Sequence, residues 1–122
     1  MRQIKKLLLA ALAVVTLALA HHGLAAFDQT KKVNLVGTVT EFHFVNPHCV
    51  VEFEVKDDKG QVRKWQGEMT SPAHLKGWTA TTLEPGNTVT VAGFAAKSGA
   101  PYMWLTKLTS NTGVELKSFS AN

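Results

Sequence analysis

The chain has 122 residues, with 13 Lys and Arg against 9 Asp and Glu, a formal net charge of +4. Three of the basic residues, Arg2, Lys5 and Lys6, crowd the first six positions, which leaves 10 against 9 over the rest. That near-neutral balance carries no electrostatic footprint for nucleic acid, which is not expected as a partner, and a single cysteine excludes an internal disulfide framework.

Residues 1–20 read as an export leader. The basic start is followed by an apolar run, residues 7–20, broken only by Thr16, and Ala18-Leu19-Ala20 supplies the small-x-small pattern that a signal peptidase cuts. The run is shorter than the ~20 residues a membrane span takes. The expectation is therefore a bacterial periplasmic or secreted protein with no stable membrane anchor after cleavage. A cut after Ala20 makes His21 the first mature residue, whereas a cut after Ala25 discards both His21 and His22.

Residues 21–32 (HHGLAAFDQTKK) have no clear periodicity and read as an N-terminal arm; residues 33–122 read as one domain. Residues 33–44 are strand-like, rich in β-branched and aromatic residues. Leu35, Gly37 and Val39 share one face, but Phe42 and Phe44 share the other. A bulge near Thr40-Glu41 puts both sets inside, Gly37 permits a bend, and Glu41 and His43 are left facing out. After the Asn46-Pro47 turn, residues 49–56 alternate: Cys49, Val51, Phe53 and Val55 against His48, Val50, Glu52 and Glu54. Asp57-Asp58-Lys59-Gly60 makes a hairpin turn into a third strand, residues 62–69, with Trp65 inward. Ser71-Pro72 opens a short helix that ends before Gly77. Strands follow at residues 88–95 and 102–110, and the tail forms a short hairpin arm or frays. Three strands, a short helix and two more strands is the order of an all-β, five-stranded OB-like β-barrel, with an open sandwich of the same strands as the rival.

Ligands of such barrels meet the face of strands two and three and the loops joining strands one to two and four to five. His48 lies in the first of those loops. A free amine beside an imidazole at His21 is a chelate suited to copper(II), which favours square-planar nitrogen sets. His21, His22 and His48 are thus the candidate metal ligands, and copper the candidate cofactor. Strand one is ~40 Å long if fully extended and the arm spans about the same, so doubling back to His48 leaves little slack, and barrel bending shortens the gap. Cys49 and His48 are neighbours on a strand and point to opposite faces, which excludes a local nucleophile–base pair. Glu68 reads as a solvated strand end or a partner to a ligand. Met69 and Met103 read as core before copper(I) ligands, and Trp78, Tyr102 and Trp104 as core and barrel-end plugs before a stacking surface for a sugar or other flat ligand.

The mature start HHGLAAFD, the run from Val33 to the Asn46-Pro47-His48 turn, Trp65 with Glu68, SPAHLKGW at 71–78 and LEPGNTVTVAGFAAKSG at 83–99 together form a pattern. It resembles a family of small exported bacterial proteins of unassigned function, which read HHS…FD, NPH and WxxE before a Ser-Pro helix. The resemblance implies export and a small β-barrel-like domain, and it falls on His21, His22, Asn46, Pro47, His48, Trp65, Glu68 and Gly93. Gly23 stands where serine is usual, and Cys49 where an aliphatic residue is usual. The leading expectation is a binding protein for copper. The alternative is a metal-free module for a small molecule, saccharide or envelope protein. An enzyme of copper-oxidase type ranks third, because no proton-transfer constellation is visible.

Overall fold

The computed structural model describes residues 23–116. The leader, His21 and His22 lie outside the described residues. A short 3-10 turn, Gly23–Ala26, leads into β1 (Phe27–His43), followed by β2 (Val50–Lys56), β3 (Val62–Glu68), β4 (Thr88–Ala96), β5 (Tyr102–Ser110) and a two-residue β6 (Glu115–Leu116). One sheet runs β3-β2-β1-β4-β5-β6, and an additional parallel pairing of β3 with β5 closes it. This is the five-stranded OB-like barrel, not the open sandwich: the long first strand pairs with β2 on one side and β4 on the other.

β1 serves two partners because it bends and slips register. The pairing with β2 shifts between Val39 and Glu41. This is the bulge implied by the parity change in the sequence. It lets Val39 and Phe42 both pack on the core, while Glu41 turns outward. Val39 is also tied across its backbone to the chain before β4, donating to Asn87 and accepting from Gly86 at 2.8 Å each.

Two expectations are corrected here. β1 begins at Phe27, six residues before the strand start read from the sequence. Residues 29–32 are exposed, so no apolar alternation marks them as strand. The expected helix is a single 3-10 turn, Pro72–His74. Leu75 leaves helical geometry at φ −109 and ψ 74, and its side chain is buried in the core. Burying one leucine, at about 1.5–3 kcal/mol, outweighs one more turn of a helix too short to sustain itself. The described part of the tail, residues 111–116, forms a short hairpin arm, with Leu116 opposite Leu108.

The core is built from inward positions of four barrel strands, with β3 adding the partly buried Trp65. Val39, Val51, Phe53, Val89, Val91, Met103, Leu105 and Leu108 are each at most 1% exposed. Cys49, Met69 and Leu83 complete it from the loops. Cys49 behaves as a small apolar residue: burial pushes its thiol up from the ordinary range, against a weak contact to the Val45 carbonyl.

Candidate functional site

The loop after β1 contains a cis Asn46–Pro47 peptide and delivers His48 to the mouth of the β2–β3 ladder. That ladder continues past its last strand pair, Val50 opposite Glu68. Cys49 donates to the Thr70 carbonyl and accepts from the Met69 amide. His48 is therefore held beside Glu68, and its Nδ1 lies 2.6 Å from Glu68 Oε1. The other carboxylate oxygen accepts a hydrogen bond from the Tyr102 hydroxyl. As a carboxylate Glu68 can only accept, so the proton in the first bond belongs to His48 Nδ1 and the lone pair of a neutral ring to Nε2.

Aromatic rings wall this trio. Trp104 meets the His48 ring edge-on at 5.2 Å, and Phe27 stacks on Tyr102 at 5.3 Å and tilts against Trp104 at 6.1 Å. Phe27 and Trp104 are buried and Glu68 is only 8% exposed, while the His48 side chain is 30% exposed. Trp104 Nε1 is buried and has no hydrogen-bond partner among the described residues. Burial first, and then the Glu68 carboxylate, push the Tyr102 phenol far above its ordinary range. At neutral pH Tyr102 is therefore a hydroxyl donor to Glu68.

Barrel closure assembles the group. Phe27 pairs with Ala96 at the end of β4, β5 starts beside it at Tyr102, and Trp104 lies opposite Glu68 in the parallel β3–β5 pairing. The described part of the arm, residues 23–32, runs through a 3-10 turn into β1, and the bending of the barrel shortens the way from there to His48. Going round the barrel, the start of β1 and the His48 loop both meet Trp104. Beside them lies a groove of about 990 Å³, with Phe27, Trp65, Pro101 and Tyr102 as its mainly apolar lining and charges of both signs, Lys64 and Lys97 with Glu41, Glu52 and Glu68. It occupies the β2–β3 face and the loop between β4 and β5, where OB barrels take ligands.

Of the three histidines picked from sequence, His48 stands in this site; His21 and His22 lie outside the described residues. Glu68 is a buried partner rather than a solvated strand end. The roles of Phe27, Tyr102 and Trp104 were missed, because only the closure register brings them to His48. Trp78 does pack on the core, edge-on to Phe42 at 6.0 Å.

Among solved structures, the domain is similar to the mitochondrial single-stranded DNA binding protein Rim1 of S. cerevisiae. The TM-score is 0.53 at 16% identity, over 66% of this chain and 93% of that one. It is also similar to a ZRD-deleted mutant of TiaS in complex with agmatine, with a TM-score of 0.51 at 22% identity over 78% of this chain. The chain spans only 24% of that protein. At these identities the likeness establishes the fold. It also overturns the exclusion of nucleic acid drawn from charge, since a barrel of this kind occurs in a protein that binds single-stranded DNA. No curated protein matches the sequence. Residues 9–103 match the family of unknown function DUF6152, and the chain belongs to that family.

Proposed function

We propose that the protein is an exported copper-binding protein, with the ion held by His48 Nε2 together with the amine and ring of His21, and with His22 beside them. The observation that carries this reading is the His48–Glu68–Tyr102 chain. Metal-ligating histidines characteristically donate their second ring N–H to a carboxylate, which fixes the tautomer and makes the free nitrogen more basic. Here that carboxylate is buried and is itself held by a tyrosine. Reach supports the other ligands: with Gly23–Ala26 in a 3-10 turn, the five or six residues from His22 or His21 to Phe27 span up to roughly 15 Å. Phe27 and His48 flank the same indole, at 6.1 and 5.2 Å.

The test uses protein purified from the periplasm with no tag at its start. Native mass spectrometry reads the first residue and any retained ion, and electron paramagnetic resonance reads the nitrogen donors. The expected result is a chain starting at His21 with one copper, a spectrum changed by His48→Ala, and affinity lowered about 10- to 100-fold by Glu68→Gln. A start at Ala26, or a spectrum indifferent to His48→Ala, removes the reading.

The groove favours a second reading, a metal-free OB-type binding module. Its volume suits a small organic ligand or a short polymer segment. Binding of a saccharide, a single-stranded oligonucleotide or an envelope protein that survives chelation, and is lost in Trp65→Ala, supports that reading over the first.

A further inference from the structure

A second group of donors lies outside the His48 site, on the outer face where β1 pairs with β2. Glu41 is opposite Glu52 in that ladder, and His43 is two residues along β1 on the same face. His43 Nε2 is 2.9 Å from Glu52 Oε2 and 3.7 Å from Glu41 Oε2, and the three donor atoms all lie within 4.8 Å of one another. We propose that Glu41, His43 and Glu52 form a cation site for a borderline divalent ion, with zinc as its type.

Three physical points carry this. The first is spacing. An ion with bonds of about 2.0–2.2 Å holds its ligand atoms roughly 3.0–3.6 Å apart in octahedral or tetrahedral geometry. The observed separations bracket that range, so small rotations of exposed side chains close the site. The second is charge. Two glutamates directly opposite each other across a ladder repel. The bulge after Val39 nevertheless turns Glu41 to that face, beside Glu52 and an imidazole. A divalent ion takes the imidazole lone pair and balances both carboxylates, whereas a protonated His43 balances only one.

The third is support. Gln66, opposite Glu52 on β3, donates to Glu52 Oε1 at 3.1 Å and so leaves Oε2 turned to the cluster. This is the orienting bond that ligating carboxylates characteristically have. The donor set of one imidazole and two carboxylates differs from the nitrogen set proposed for copper, and it suits zinc better. Glu41 and Glu52 also line the groove. An ion held there would therefore lie at the edge of the space where a ligand would bind.

The test is calorimetric titration with zinc chloride of the full mature chain carrying His48→Ala, which removes one ligand of the other site, and only zinc lost on adding His43→Ala is counted. One zinc per chain is expected, with affinity reduced at least about tenfold by His43→Ala or Glu52→Gln. Cobalt(II) in the same protein is expected to give ligand-field bands that disappear in His43→Ala. If His48→Ala does not fold, wild-type and His43→Ala chains are compared, and the zinc stoichiometry is expected to drop by one. Zinc binding that is absent, or unchanged in His43→Ala, overturns the site. Because none of its ligands belongs to the copper reading, either proposal fails without the other.

Discussion

Tyr102 is the chain's one tyrosine, so its ionisation is directly visible in ultraviolet absorbance. Burial, and secondly the Glu68 carboxylate, raise its proton affinity in the fold. An unfolded tyrosine titrates near ~10. The stabilisation linked to Tyr102 is therefore fully present below that pH and is lost as pH climbs above it toward the folded value. Phenolate absorbance is expected to rise only together with unfolding, and Tyr102→Phe is expected to flatten the alkaline decline in stability. The same variant leaves Glu68 one partner short, at a cost of about 1–3 kcal/mol at neutral pH in urea unfolding. At this scale His48 was legible, because Asn46-Pro47-His48 falls in the loop where such barrels bind. Its partners were not legible. Strand parity tells which face Glu68 occupies, but only the register Val50 opposite Glu68 tells that the carboxylate meets His48.

Two strands depend on glycines for a close crossing. A Cβ on Gly37 of β1 would stand 2.7 Å from the Glu54 carbonyl oxygen and from the Phe53 ring. On Gly93 of β4 it would stand 1.8 Å from the Trp104 carbonyl oxygen, where β4 shifts register against β5. Backbone cannot give way as a side-chain end can. Gly37→Ala is expected to cost about 1–3 kcal/mol, and Gly93→Ala more, read as shifts in denaturation midpoint. The loss at Gly93 also displaces Trp104, so the environment of the His48 ring is expected to change in NMR. The bulge in β1 was legible because apolar residues changed face at Thr40-Glu41. The first third of β1 was not, since Gln29, Thr30, Lys31 and Lys32 are solvent-exposed and follow no period.

For the molecule as a whole, the order of elements was enough to name the barrel, since a long bent strand and a Ser-Pro turn between the third and fourth strands leave few other closed arrangements. The place of the groove was legible, on the β2–β3 face and the β4–β5 loop, but the share of its lining that comes from Ala26 and Phe27 was not, because the start of β1 meets those elements only on closure. The charge argument against nucleic acid failed at this scale too: net charge describes the sum over a surface, whereas binding depends on one face of it. Closure also leaves the start of β1 thinly attached. Its pairing with β4 is interrupted between Asp28 and Lys32, so Phe27 and Asp28 form a patch separated from the long ladder beyond. Lys97 N–H donates to the Ala26 carbonyl at 2.9 Å at the edge of that patch. Small peripheral units of this kind open independently, at lower free energy than the core. In hydrogen–deuterium exchange the Lys97 amide is expected to exchange far faster than that of Val91. An ion bridging His48 to the chain before Gly23 would pin the patch, slowing Lys97 and leaving Val91 unchanged. One backbone amide on the far side of the Ala26 carbonyl thus becomes a clock for whether the first residues of the chain are engaged.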